Sequence, residues 1–101
     1  HIVQGHVDQI AVCEGVAEKE GSWIYDFSYD AVQGNVTVEK GSITINGVSL
    51  TCFNSRPGGF TVAIIPYTYE HTSFHKLRKG DIVNLEFDII GKYIARITKG
   101  Y

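Results

Sequence analysis

The fold is decided by the stretch at residues 42–52, which reads SITINGVSLTC. Apolar side chains alternate with hydroxyl-bearing ones on both sides of Asn46-Gly47, and a β-strand with one buried face has this period of two. Both central residues of a type I′ turn adopt positive φ, a conformation that Asn and Gly tolerate better than other residues. The stretch therefore predicts a β-hairpin with its apolar face in the core.

Two strands are predicted before this hairpin. Residues 7–20 are apolar with an irregular period, and Gly15 in their middle fits a bulge or bend in one long strand that ends at Gly21. The next strand has an aromatic inner face formed by Trp23, Tyr25, Phe27 and Tyr29. A loop or a short helix is expected over residues 30–35.

A turn, a strand and a short helix are predicted after the hairpin. The turn covers residues 54–59 and leads into a strand over residues 60–65, which Pro66 ends because proline has no N–H to donate to a sheet. A weak helical spacing follows. We therefore expect a short helix near residues 70–77, with Thr72 as its candidate cap.

The last predicted strand covers residues 82–90, where apolar and polar side chains alternate. The whole chain favours strands, because it contains 12 Ile and 10 Val but only 3 Leu, and β-branched side chains suit the extended backbone. About six strands with turns between them indicate one all-β domain over residues 1–101. Its architecture is a small closed barrel or a sandwich, since closure removes exposed strand edges.

Composition and charge disfavour several functions. The 9 basic and 11 acidic residues give a net charge of -2, which disfavours general nucleic-acid binding. No apolar run approaches the roughly 20 residues that span a bilayer, and no signal peptide opens the chain, so we expect a cytoplasmic protein with no membrane partner. Cys13 and Cys52 are predicted to be reduced, buried thiols. The chain starts at His1 and contains no Met, so an excised piece of a longer protein is expected.

The sequence contains no metal or nucleotide motif. There is no glycine-rich phosphate loop and no Cys-x-x-Cys pair. His71 and His75 lie four residues apart and could share one helix face. A zinc site needs further ligands, so surface histidines are the favoured interpretation.

Three groups of polar residues could serve a bound molecule. His6 could exchange protons near neutral pH beside Gly5, where a ligand could approach the backbone, although a structural role is the plainer interpretation. The hairpin hydroxyls, which include Ser49 and Thr51, fit the β propensity of an outward strand face and also fit a bound polyol. Asp88 interrupts an apolar stretch, and an outward strand position is favoured for it.

Four blocks of sequence then appear in order along nearly the whole chain. They are GHVD at residues 5–8, KGSITINGVSLT at residues 40–51, IPYTYEHT at residues 65–72 and GDIVNLEFD at residues 80–88. With these blocks the chain resembles one lumazine-binding repeat of the riboflavin synthase family. The resemblance implies a six-stranded Greek-key closed β-barrel.

Within that family the chain is most similar to the carboxy-terminal repeat, because Val48-Ser49 follows Asn46-Gly47 where the amino-terminal repeat carries cysteine. The resemblance implies that the amino-terminal repeat of a neighbouring subunit completes the active site. It also implies a homotrimer for the full chain and a monomer or dimer for this fragment, since the family's trimer-forming helix would follow residues 92–96 and the chain ends at Tyr101. Lumazine synthase is a further candidate partner.

The activity that the resemblance implies is a dismutation. Two molecules of 6,7-dimethyl-8-ribityllumazine exchange a four-carbon unit and give riboflavin and 5-amino-6-ribitylamino-pyrimidinedione, with no metal and no separate cofactor. The catalytic residues carried over from the family are His6, Asp88 and Ser49. The ligand-binding residues carried over are Gly5, Val7, Lys40, Gly41, Val48, Ser49, Thr51, Ile65, Pro66, Thr68 and Thr72.

Two other functions stay open. One is a non-catalytic lumazine- or flavin-binding protein, and the other is a structural barrel without a ligand. The chain also departs from the family's usual pattern at Tyr67 and Tyr69, which replace smaller or aliphatic residues around Thr68. Tyr67 is expected beside the pocket, so ligand affinity is the property that this departure affects.

Overall fold

A computed structural model describes residues 7–88, and in this part of the chain six antiparallel strands close into one barrel. The strands are β1 (Gln9–Lys19), β2 (Ser22–Ser28), β3 (Ser42–Ile45), β4 (Val48–Arg56), β5 (Gly59–Ile64) and β6 (Ile82–Phe87). One helix, α1 (Pro66–His71), and two 3₁₀ turns, Ala31–Gln33 and Ser73–Lys76, complete the described elements.

The strand order around the barrel is β1-β2-β5-β4-β3-β6, with β6 paired to β1. Hairpins join β3, β4 and β5, and β6 returns to lie beside β3. This is the Greek-key arrangement. The prediction of an all-β closed barrel is confirmed.

Alternating strand residues that point into the barrel form most of its core. The buried core consists of Ala11, Cys13, Tyr25, Phe27, Tyr29, Ile43, Ile45, Cys52, Phe60, Val62, Ile64, Phe74, Val83, Leu85 and Phe87. Phe74 is the one member that comes from a 3₁₀ turn within the described residues, and the Tyr25 hydroxyl donates a hydrogen bond to its carbonyl at 2.8 Å. That bond ties the segment after α1 to β2.

The predicted hairpin is present in the predicted register. Ile45 pairs with Val48, and the two turn residues between them have the positive φ of a type I′ turn, 49° at Asn46 and 83° at Gly47. The predicted bulge is also confirmed, because the pairing of β1 with β2 shifts between Cys13 and Gly15. Cys13 and Cys52 are free, buried thiols, as expected.

The turn predicted over residues 54–59 is wrong in its extent. β4 continues to Arg56 and β5 starts at Gly59, so the turn is only Pro57-Gly58. Asn54 takes a φ of 51°, and the strand pairing is irregular between Phe53 and Arg56. A β-bulge accommodates such a residue while the strand stays paired. The polar composition of the segment indicated a turn, so the bulge was not predicted.

The predicted short helix exists but begins earlier and is interrupted. Pro66 occupies its first turn, where a fixed φ and a missing N–H cost nothing. Thr72 is extended, with φ -131° and ψ 178°, and separates α1 from the following 3₁₀ turn. Its hydroxyl accepts a hydrogen bond from the Phe74 N–H at 3.3 Å, so Thr72 caps the second element rather than the first.

The first described strand is shorter than predicted. β1 starts at Gln9 and ends at Lys19, and β6 is described as far as Phe87, so residues 89 and 90 of the predicted last strand lie outside the described residues. The loop over residues 30–35 contains the 3₁₀ turn Ala31–Gln33. Asp30 caps this turn, because its carboxylate accepts from the Val32 N–H at 2.9 Å.

Candidate functional site

The hydroxyl-bearing face of β4 lies on the outside of the barrel. Cys52 points into the core, and its alternating neighbours Ser49 and Thr51 are exposed. α1 follows β5 almost directly, with Ile65 as the single connecting residue. This short connection keeps the helix close to the outer faces of β4 and β5.

Two adjoining clefts lie between β4 and α1. The first, about 390 Å³, is lined by Gly47, Val48, Ser49, Tyr67, Thr68, His71 and Thr72. The second, about 420 Å³, is lined by Ser49, Leu50, Thr51, Phe53, Ala63, Ile65 and Thr68. Because Ser49 and Thr68 line both clefts, the two clefts adjoin, and together we call them the β4–α1 groove.

Three hydroxyl groups of the groove are available to a ligand. Within residues 7–88, the side chains of Ser49, Thr51 and Thr68 form no hydrogen bond with the protein. The Thr72 hydroxyl differs, since it donates to the Thr68 carbonyl at 2.6 Å and accepts from the Phe74 N–H. Thr72 therefore lines the groove, but its hydroxyl is already hydrogen-bonded to backbone groups at the end of α1.

The second cleft has an apolar wall. Phe53 and Ala63 lie on the neighbouring strands β4 and β5, and Ile65 leaves 59% of its surface exposed at the start of the helix. The Ile65 carbonyl accepts the Tyr69 N–H at 3.0 Å, so this backbone oxygen is used by α1. An exposed apolar wall beside free hydroxyls suits a ligand with a flat ring and a polar chain.

The rings of Tyr67 and His71 both line the first cleft. The sequence did not predict that these two side chains form a pair. The Tyr67 and His71 rings are stacked, with centroids 4.1 Å apart and an interplanar angle of 17°. His71 was expected to be a surface histidine, and it is indeed exposed, but it also faces the groove. The signal that could have found the pair is its i, i+4 spacing directly after the helix-starting Pro66.

Lys40 and Gly41 lie beside β4, past Thr51, and line neither cleft. The Lys40 N–H donates to the Cys52 carbonyl at 2.8 Å, and the Cys52 N–H donates to the Gly41 carbonyl at 2.9 Å. A Cβ at Gly41 would stand 2.9 Å from the Val38 carbonyl oxygen. The close approach of the Val38 backbone therefore explains why glycine, which has no Cβ, occupies position 41.

Asp88 lies outside the groove, at the end of β6. Its carboxylate accepts from the Ser42 N–H at 3.3 Å, and Ser42 pairs with Thr51 across β3 and β4. Asp88 directly follows β6, and β3 lies between β6 and β4, so the Asp88 carboxylate reaches the strand that pairs with β4. Asp88 is half-buried and is not part of either cleft.

The segment before β1 runs along the same end of β6. The Asp8 carboxylate accepts from the Phe87 N–H at 2.7 Å, and the preceding residue, Val7, is exposed. Gly5 and His6, two of the predicted site residues, lie outside the described residues. The structure thus brings Val48, Ser49, Thr51, Ile65, Thr68 and Thr72 together in the groove, with Pro66 adjoining it, and leaves Val7, Lys40, Gly41 and Asp88 outside it.

Across residues 7–88, no three His, Cys, Asp or Glu side chains are grouped so that they could hold a metal ion. The one α-helix in that part of the chain is too short to cross a membrane.

Comparisons with known proteins identify relatives along the whole described region. A family model, the lumazine binding domain, matches residues 4–88. The chain is 42% identical over 96 residues to a riboflavin synthase of Bacillus subtilis (strain 168), covering 95% of this chain and 45% of that protein. It is 36% identical over 102 residues to a riboflavin synthase of Mycobacterium tuberculosis (strain CDC 1551 / Oshkosh), covering 98% and 51%. The chain spans about half the length of these relatives.

A solved structure shares the fold. The chain superposes with a TM-score of 0.71 on LumP complexed with 6,7-dimethyl-8-(1'-D-ribityl) lumazine, at 19% sequence identity, covering 87% of this chain and 49% of that one. This likeness shows the barrel architecture. The family match covers every described strand, and the chain therefore belongs to the lumazine-binding domain family.

Proposed function

We propose that the chain is the carboxy-terminal lumazine-binding repeat of a riboflavin synthase, and that its β4–α1 groove binds 6,7-dimethyl-8-ribityllumazine and the product riboflavin. The observation that carries this proposal is the groove itself, where the free hydroxyls of Ser49, Thr51 and Thr68 adjoin an exposed apolar wall. The names of the relatives, riboflavin synthases at 42% and 36% identity, support the same reading.

The chemistry of the groove matches the two parts of such a ligand. A ribityl chain carries several hydroxyls, each of which donates and accepts hydrogen bonds, and hydroxyl side chains do the same. A fused heteroaromatic ring is flat and largely apolar on its faces, and the wall of Phe53, Ala63 and Ile65 offers it a surface. One site therefore provides for both the ring and the chain.

The catalytic part of the proposal concerns the dismutation of two lumazine molecules. Each repeat offers one groove, and two bound substrates must face each other for a four-carbon unit to pass between them. The second groove comes from the amino-terminal repeat of a neighbouring subunit in the proposed homotrimer. The relatives' double length supports a second repeat in the full protein.

The proposed catalytic residues are His6, Asp88 and Ser49. Imidazole exchanges protons near neutral pH, which suits His6 for proton transfer at the ring or its methyl group. Ser49 lies in the groove, and the Asp88 carboxylate accepts a hydrogen bond from Ser42 on β3, the strand that pairs with β4. The proposal involves no metal and no separate cofactor.

The proposal also covers location and partners. The reduced state of Cys13 and Cys52 is compatible with the cytoplasm, where thiols stay reduced. Gly5, Val7, Lys40 and Gly41 remain candidates for contacts with a ligand shared between two repeats. Lumazine synthase remains a candidate partner.

A fluorescence titration tests the proposal. The isolated chain is titrated with riboflavin, with 6,7-dimethyl-8-ribityllumazine and with lumichrome, which has the ring system of riboflavin but no ribityl chain. We expect both ribityl ligands to bind, and riboflavin to bind about tenfold or more tightly than lumichrome because the hydroxyls pair with the chain. Equal affinity for riboflavin and lumichrome would contradict the proposed use of the groove.

A non-catalytic lumazine- or flavin-binding protein is the alternative function. It would use the same groove, so the titration does not separate it from the enzyme. A full-length protein that binds both ligands but forms no riboflavin from the lumazine would favour this alternative.

A further inference from the structure

One side of the β4–α1 groove carries a preorganised histidine. His71 is the last residue of α1, and its exposed imidazole lines the same cleft as Ser49 and Thr68. Tyr67, one helical turn earlier, lines that cleft too and stacks on the imidazole at 4.1 Å. The two side chains therefore act as one structural unit at the edge of the groove.

A second contact sets the tautomer of this histidine. The Nδ1 atom of His71 lies 2.8 Å from the carbonyl oxygen of Tyr67. A carbonyl oxygen can only accept a hydrogen bond, so Nδ1 carries the proton. In the neutral imidazole the other nitrogen, Nε2, then has a free lone pair and is an acceptor.

The remaining lining of the cleft is polar but uncharged. Besides His71 and Tyr67, the lining residues that the structure describes are Gly47, Val48, Ser49, Thr68 and Thr72, and none of them is an acid or a basic residue of the Lys or Arg type. Such a surface complements neutral hydroxyl groups. It offers no lysine or arginine to a phosphate, which is the group that those side chains usually bind.

We propose that His71 is a specificity-determining residue that accepts a hydrogen bond at Nε2 from a hydroxyl group of the ligand's ribityl chain. Tyr67 is its positioning residue, since the stacked ring and the Nδ1 bond together hold the imidazole in one orientation. The inference rests on the proposed function of the groove. It adds a contact with the ligand's ribityl chain that the family resemblance does not assign to this position.

Affinity measurements on single variants test the inference. His71→Ala is expected to weaken riboflavin binding about five- to tenfold and to leave lumichrome binding unchanged, because only riboflavin has the chain hydroxyls. Glu70→Ala is the matched control, since Glu70 is an exposed neighbour on α1 that lines neither cleft. Flavin mononucleotide, which carries a phosphate at the end of the chain, is expected to bind no more tightly than riboflavin.

The positioning role of Tyr67 requires a different readout. Tyr67→Ala is expected to lower riboflavin affinity in the parent chain and to have no further effect in the His71→Ala background, whereas Tyr67→Phe keeps the stack and the affinity. Nitrogen-15 chemical shifts of the His71 ring are expected to show a protonated Nδ1 in the parent chain, and Tyr67→Ala is expected to reduce the population of that tautomer.

The outcomes separate this inference from the proposed function. A parent chain that binds neither riboflavin nor the ribityllumazine would overturn both. If the parent chain prefers riboflavin to lumichrome but His71→Ala keeps the full preference, the groove stands and the role of His71 is refuted. Equal losses for riboflavin and lumichrome in His71→Ala would also refute it, because they would indicate a structural effect.

Discussion

The rings of Trp23 and Tyr69 lie parallel, with centroids 3.9 Å apart and an interplanar angle of 4°. Trp23 belongs to β2 and Tyr69 to α1, and both pack against the barrel core while remaining half-buried. The stack thus fastens the helix to the barrel. Because Tyr67, Thr68 and His71 lie on the same short helix, the position of one side of the groove depends on this contact.

Removal of the Tyr69 ring is expected to loosen α1. Tyr69→Ala deletes a half-buried aromatic side chain, so the free energy of unfolding is expected to fall by about 1 to 3 kcal/mol. The fluorescence of Trp23, the single tryptophan, is expected to change because its stacking partner is lost. Tyr69→Phe is the control and should retain both properties. Unchanged emission in Tyr69→Ala would show that the stack does not persist in solution.

Gly41 is expected to be needed for packing. In Gly41→Ala the new Cβ would lie 2.9 Å from the carbonyl oxygen of Val38 and 3.0 Å from its Cβ, and relief of that overlap is expected to cost about 1 to 3 kcal/mol of unfolding free energy. Gly15→Ala is the control, since no atom lies within 4 Å of its added Cβ. Chemical denaturation of both variants measures the difference. Equal stabilities would contradict the packing explanation.

Thr51 is expected to bind the ligand's polar part. Thr51→Val keeps the shape and the β propensity of the residue but leaves a ligand hydroxyl unpaired, so riboflavin binding is expected to weaken by about 1 to 3 kcal/mol. Thr44→Val provides the control, because Thr44 lies on β3 and lines neither cleft. Isothermal titration calorimetry measures both. The same loss in the two variants, or the same loss for lumichrome, would count against a direct contact.

Turnover is expected to need a second repeat. Correct placement of two reactants can supply about 7 to 11 kcal/mol of a bimolecular barrier, and one groove cannot provide it. The isolated chain is therefore expected to form riboflavin slowly or not at all. Addition of a separately produced amino-terminal repeat should restore activity, and His6→Ala in this chain should lower what is restored. Riboflavin formation by a preparation shown to be monomeric would refute the two-repeat site.

Stability is expected to fall in alkaline solution. Burial raises the pKa of the Tyr25 hydroxyl from 10.0 to about 12 and raises the pKa values of the Cys13 and Cys52 thiols above 9.0. Above pH 9 the unfolded chain therefore loses protons that the folded barrel keeps. The free energy of unfolding then decreases with rising pH, by at most about 1.4 kcal/mol per pH unit for each group, and the decrease due to Tyr25 levels off near pH 12.

Urea denaturation between pH 7 and pH 11 measures this dependence. At pH 7 these groups are protonated in both states and contribute no slope. Cys52→Ala removes one of the thiols, so the decrease that begins near pH 9 should become shallower in that variant. An increase of stability between pH 9 and pH 11 would contradict the assignment of these groups as buried and neutral.

The parts of the fold that were predicted correctly depend on neighbouring residues. The hairpin at Asn46-Gly47 was predictable because turn chemistry and the alternation of the flanking strands agree within a few residues. The extent of β4 was not, because polar residues such as Asn54 and Ser55 indicate a turn while the barrel keeps them paired beside β5. In this segment, pairing with β5 outweighed the turn preference of the individual residues.

The residues of the site also fall into those that were predicted and those that were not. Ser49, Thr51 and Thr68 were predicted from the family resemblance, and the structure shows that they line one groove. The pairing of Tyr67 with His71 was not predicted, because the helix was expected near residues 70–77. α1 instead begins at Pro66, so Tyr67 and His71 lie one helical turn apart on it.

By itself, the sequence determined the all-β class, the inward faces of the hairpin strands and of β6, and the Asn46-Gly47 turn, because side-chain alternation and turn conformation are properties of adjacent residues. Only the tertiary structure decided that Ser49 and Thr68 border the same groove. Their proximity depends on closure of the barrel and on the Trp23–Tyr69 stack, and both are contacts between segments far apart in the chain that no periodicity encodes.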